Sequence, residues 1–188
     1  MRSSSGTDAP LGQQEYEVLR MTIARRGTAR IVLVPASLSV WAALGLAQIA
    51  VAPLPLASLL SLTVLAAGFE AINALHVGVE RIGRYLQVFY EETSADSSVG
   101  PRWETTAMAV APGLPGGGVD PLFAVIYVIA VMLNLIVGLV PGPTAVEAGV
   151  VGGLHTLALV RIIRARLAAA KQRTVDLEHY RRIRDSRA

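Results

Sequence analysis

Leu54-Pro-Leu-Ala-Ser-Leu-Leu-Ser-Leu-Thr-Val-Leu-Ala-Ala-Gly-Phe-Glu70-Ala-Ile-Asn-Ala-Leu-His-Val-Gly-Val79 carries one formal charge in a run long enough to cross a ~30 Å hydrocarbon core as a helix. Three more runs of the same kind flank it, at about 31–51, 122–140 and 144–163. The connections Ala52-Pro53 and Pro141-Gly142-Pro143 are uncharged. Sixteen of the seventeen Lys and Arg residues fall in the N-terminal arm, the middle loop or the C-terminal tail, and Arg161 stands at the tail end of the fourth run, all of which a four-span topology gathers on one side. By the bias of basic residues toward the cytoplasm, that side is inside. The expected fold class is an all-α integral membrane protein of the inner (cytoplasmic) membrane. It has four transmembrane helices, short outer turns and both termini cytoplasmic.

Composition agrees. Hydrophobic residues make up 53% of 188, which leaves too little polar sequence for a soluble domain of ordinary size. The net charge of +3 comes from arginines suited to anionic inner-leaflet lipids, so membrane lipids are expected partners and nucleic acid is not. Cysteine is absent, which excludes disulfides, thiolate nucleophiles and Cys metal sites. About thirty polar or mixed residues precede the first apolar run without a cleavage pattern, so that span is expected to stay in the mature protein.

Residues 1–12 read as a flexible N-terminus and 13–27 as an interfacial amphipathic helix, with Tyr16, Leu19 and Ile23 on one stripe and Gly27-Thr28 as a break. The membrane domain is 28–163. The second span should continue inward as a helix to Thr93, with Glu80 and Arg84 paired across one turn. Residues 93–121 form a Gly/Pro/Ser-rich cytoplasmic loop with Trp103 as an interfacial anchor and 112–118 unable to be regular helix. Residues 164–188 form a basic cytoplasmic helical tail extending the fourth span. Its stripe of Ile163, Leu167, Ala170, Thr174 and Leu177 would pack on the 80–92 extension or on a second copy.

At 100° per residue the second span divides into three arcs. Glu70, Asn73, Val77, Glu80 and Arg84 share one with His76 at its edge, and small residues Ala67, Ala71, Ala74 and Gly78 share the next. Val64, Leu65, Ile72, Leu75 and Val79 are the expected lipid face. The small arc should admit another helix closely, as should Gly149 and Gly153 of the fourth span. An acidic group at membrane depth costs on the order of 2.5–3.5 kcal/mol, so Glu70 requires a partner or a proton. Other spans offer candidates: Thr144, Glu147, Val151 and His155 on the fourth; Phe123, Tyr127, Asn134, Gly138 and Pro141 on the third; Ser37, Trp41, Gly45 and Gln48 on the first.

Glu70, Asn73, His76, Glu80, Asn134, Glu147 and His155 thus form a polar ladder open to two readings. Carboxylates and imidazoles spaced through a bundle suit a channel or transporter for protons or a small ion. The same groups also serve as hydrogen-bonding ties between helices. Thr144-Ala-Val-Glu147 after Pro143 additionally matches a helix N-terminal capping box. No Glu-x-x-His occurs, and neither metal nor cofactor is expected.

Glu70-Ala-Ile-Asn73 followed by Glu80-Arg81-Ile82-Gly83 resembles a stretch of the small membrane diacylglycerol kinases over about fourteen residues. The resemblance implies metal-nucleotide binding by Glu70 and Asn73. The spacer is one residue short, His76-Val77 stands where that family has a second acidic residue, its Lys-Asp segment is missing, and it has three spans. No catalytic residue is assigned. The expected function is a structural or accessory subunit of a membrane assembly, homo- or hetero-oligomeric, with the ion pathway as alternative and a lipid-kinase-like enzyme third.

Overall fold

The computed structural model describes residues 8–51, 53–92, 105–106 and 122–187, all helix or short connection. Four long helices follow in order: α1 (Asp8–Val51), α2 (Ser58–Leu86), α3 (Leu122–Leu139) and α4 (Ala145–Asp185). A 3-10 turn, Pro55–Ala57, leads into α2, and a π-helical segment, Gln87–Glu91, ends it. Three of these helices are long and apolar enough to cross a membrane, while the apolar stretch Phe123–Leu139 of α3 is shorter.

The chain divides into two compact units. Unit 1 comprises Met1–Ala29, Leu75–Gly118 and Lys171–Ala188; unit 2 comprises Arg30–Ala74 and Val119–Ala170.

Unit 2 contains the hydrophobic core. Leu62, Leu65, Phe69 and Ile72 of α2 meet Phe123, Tyr127, Ala130 and Val131 of α3 and Ile162 and Ala165 of α4. Phe69 sits edge-on to Tyr127 at 5.8 Å between ring centroids. Leu65 and Ile72, expected to face lipid, are fully buried here. Helical periodicity separates the faces of a helix, but it does not say which face a neighbour covers. The face bearing large side chains won because it interlocks with α3. The small arc instead lies outward, with Ala67, Ala71 and Ala74 exposed.

Gly68 lies on the packed side. A side chain there would collide with Ser37 and the Tyr127 hydroxyl, which hydrogen-bond each other across α1 and α3. Gly138 likewise brings α3 close to Ser58 and Val151.

The expected break at Gly27-Thr28 is absent, because α1 runs through it. One interior glycine costs only ~1 kcal/mol relative to alanine, and Thr28 donates its hydroxyl back to the Ala24 carbonyl at 3.1 Å, as a helical threonine can. Pro35 is also inside α1; two residues on, the Ser37 hydroxyl donates to Val34 O at 3.0 Å.

Unit 1 is held by charge and aromatic contact. Buried Arg84 donates to Asp176 Oδ2 at 2.7 Å and to Glu80 Oε2 at 3.0 Å, the latter being the pair expected across one turn. Arg181 and Arg184 hold Glu92 at 2.7 and 2.9 Å. Tyr180 meets Tyr85 and Phe89 edge-on. The tail thus packs on the 80–92 extension, though not through the expected stripe: Ile163, Leu167 and Thr174 are exposed, and buried Asp176 makes the contact with Arg84. The 93–104 and 107–121 parts of the middle loop, Trp103 and Gly118 among them, lie outside the described residues. Thr105 donates its amide and hydroxyl to Glu91 at 2.7 Å.

Candidate functional site

The polar centre of unit 2 is built around Asn134, about two turns beyond Tyr127 on the buried face of α3. Its Oδ1 accepts the Trp41 indole N–H at 3.2 Å. Its amide nitrogen donates to the Ser58 carbonyl at 2.9 Å and to His155 Nε2 at 2.8 Å. The indole can only donate and the carbonyl can only accept, so these two neighbours fix the orientation of the amide. With Nε2 accepting, the His155 proton sits on Nδ1, which donates to Val151 O at 2.7 Å. Both nitrogens of this fully buried imidazole are therefore engaged within the chain.

Protonating His155 on Nε2 would require an acceptor where Asn134 presents an N–H. Turning the amide over would supply one, but it would also set Oδ1 against the Ser58 carbonyl or the amide nitrogen against the Trp41 N–H. The arrangement fixes the Asn134 amide and one imidazole tautomer, with the ring proton on Nδ1.

The remaining ladder residues lie in separate groups. Glu70 pairs with Arg161 at 2.8 Å, and both side chains are about half exposed, 46% and 51%, so the carboxylate faces outward rather than into the bundle. Asn73 is half-buried on the same helix. Glu147 closes the capping box: its carboxylate accepts the Thr144 amide at 2.9 Å and hydroxyl at 2.8 Å. Its own amide donates to Thr144 Oγ1 at 3.3 Å. His76 and Glu80 belong to unit 1, where His76 is buried and Glu80 is held by Arg84. Of the seven, Asn134 and His155 bond each other directly.

Among the small residues, Gly149 and Gly153 border open space. Gly78 is half-buried, with the Arg26 guanidinium lying where its side chain would be. Among the described residues no group of three His, Cys, Asp or Glu side chains is placed to hold a metal ion.

Sequence reasoning left Ser58 and Arg161 out of the polar set. Ser58 contributes through its backbone carbonyl, which side-chain patterns do not reveal. Arg161 lies 91 residues from Glu70; its position near the C-terminal end of the fourth apolar run was the available signal. Trp41 was legible through its four-residue spacing from Ser37.

The chain matches no family model, no curated protein and no solved structure.

Proposed function

We propose that this chain is a non-enzymatic, four-span inner-membrane protein with cytoplasmic termini, serving as a structural or accessory subunit of a larger membrane assembly. The observation that carries the reading is the closed hydrogen-bond set of Trp41, Ser58, Asn134, His155 and Val151. These groups tie three helices and the entry to α2 together with both nitrogens of His155 and both ends of the Asn134 amide engaged, as a scaffold within lipid needs. Glu70, the residue most suited to carry protons, is neutralised by Arg161. The exposed alanines of α2 and the open glycines of α4 leave room for close approach by other helices. The charge asymmetry of the sequence supports the topology.

Purification in mild detergent with mass determination tests the assembly. Co-purifying subunits or a defined homo-oligomer are expected, and a monomer without partners counts against the reading. Ala74→Leu should release partners while leaving the fold intact, whereas Ile72→Ala should weaken the fold. Flux through wild-type protein in liposomes under a pH gradient, abolished by Glu70→Gln, would install the ion pathway instead.

A further inference from the structure

Unit 1 contains an open cleft of about 490 Å³ lined by Glu15, Leu19 and Arg26 of α1, Gly78, Arg81, Ile82 and Tyr85 of α2, and Tyr180 of α4. Positions 78, 81, 82 and 85 fall on one helical face, so the lining of α2 is a continuous strip.

Two guanidiniums in this cleft have hydrogen-bond donors to spare. Arg26 makes no hydrogen bond or ion pair among the described residues and lies against Gly78, where the missing side chain leaves it room. Arg81 is 55% exposed and stands 3.9 Å from Asp176, an oxygen that Arg84 already holds at 2.7 Å. The acidic member of the lining is otherwise occupied: the two oxygens of Glu15 accept the Tyr85 and Tyr90 hydroxyls at 3.0 and 2.7 Å. The cleft thus offers two planar, forked cations with donors available to a ligand beside an apolar and aromatic wall of Leu19, Ile82 and Tyr180. Guanidinium forks match phosphate oxygens bidentately, and an apolar wall suits a ligand with a greasy portion.

We propose that this cleft binds the phosphate of one anionic phospholipid headgroup, with Arg26 and Arg81 as its ligands. The proposal rests on the membrane reading, which sets Arg26 before the first span and Gly78 at the inner end of the second, both at headgroup depth. The chemistry recognised is a phosphodiester; the depth and the apolar wall select a lipid over a free phosphate.

The test uses full-length protein in mild detergent, titrated with phosphatidylglycerol and read by native mass spectrometry. One retained phosphatidylglycerol per chain is expected, with phosphatidylcholine binding at least tenfold weaker. Arg26→Gln with Arg81→Gln should lower occupancy tenfold or more. Arg81→Gln alone, at an exposed position that leaves the Arg84–Asp176 pair intact, should lower it several-fold. Lys171→Gln with Arg182→Gln, outside the cleft and exposed, should change nothing; an equal loss there would reduce the effect to general charge and overturn the site. Displacement of the lipid by an equal concentration of inorganic phosphate would overturn the lipid assignment and make the ligand a soluble phosphate. Wild-type protein that resists carbonate extraction yet retains no phosphatidylglycerol overturns the site alone, whereas extraction by carbonate overturns the membrane reading.

Discussion

The two units solve the same problem, holding helices side by side, with opposite chemistry. Unit 2 uses, in its interior, interlocking apolar side chains, close approach at Gly68 and Gly138, and hydrogen bonds between groups that carry no charge, with the Glu70–Arg161 pair at its exposed edge. Unit 1 uses a buried arginine clamped by two carboxylates, a third carboxylate held by two arginines, and tyrosines around Glu15. Neutral hydrogen bonds keep their strength in a hydrocarbon environment without a desolvated charge, whereas ion pairs are tolerable where water or headgroups are near. The two chemistries should therefore respond differently to mutation, salt and pH.

The largest effect is expected at Arg84. Arg84→Met leaves Glu80 and Asp176 without their shared cation, and breaking one side of a buried pair typically costs about 3–5 kcal/mol. Hydrogen exchange should accelerate in unit 1 helices and stay near wild type in unit 2. Adding Asp176→Leu and Glu80→Gln should recover most of the loss; failure to recover would mean that Arg84 acts through packing.

Asn134→Leu comes next. It strands the Trp41 N–H, the Ser58 carbonyl and His155 Nε2 together, at roughly 2–4 kcal/mol by the cost of unsatisfied buried groups, reduced where lipid-embedded groups find new partners. Exchange should now rise in unit 2, and Trp41 fluorescence should shift. A loss greater than that of Arg84→Met would reverse the ranking of the two units.

Gly68→Ala should cost about 1–3 kcal/mol by overpacking, because the added methyl meets both Ser37 and Tyr127. Gly149→Ala, at a position bordering open space, should be near neutral in the monomer. Equal costs in thermal unfolding would show that another helix covers Gly149.

The smallest effect is titration. Hydrogen bonding by Arg181, reinforced by Arg184, holds the Glu92 carboxyl below its ordinary range. A depressed carboxylate contributes stability above its unfolded pKa, about 4.3, and loses it as pH falls through the lower folded value. Unit 1 should therefore loosen first below about pH 4, and Glu92→Gln should flatten that part of the profile. Molar salt should weaken the same exposed contacts and leave the Asn134 network unchanged. A matching acid response in unit 2 exchange would break the distinction.

The sequence by itself determined the helical character, the apolar runs, the capping box at Thr144–Glu147 and the Glu80–Arg84 pair. Each follows from local spacing: 3.6 residues per turn, one side chain reaching four positions along, a Ser/Thr with a carboxylate three residues later. The tertiary structure decided which face of α2 is covered, that Glu70 looks outward to Arg161, that Gly27 does not break α1, and that Asp176 completes the Arg84 clamp. The face of α2 was ambiguous for a physical reason. In a segment suited to lipid, apolar side chains are at ease against either lipid or protein, so hydrophobicity does not distinguish inside from outside. Shape decides instead, through Phe69, Leu65 and Ile72 fitting between the side chains of α3, and that complementarity is a property of two helices together.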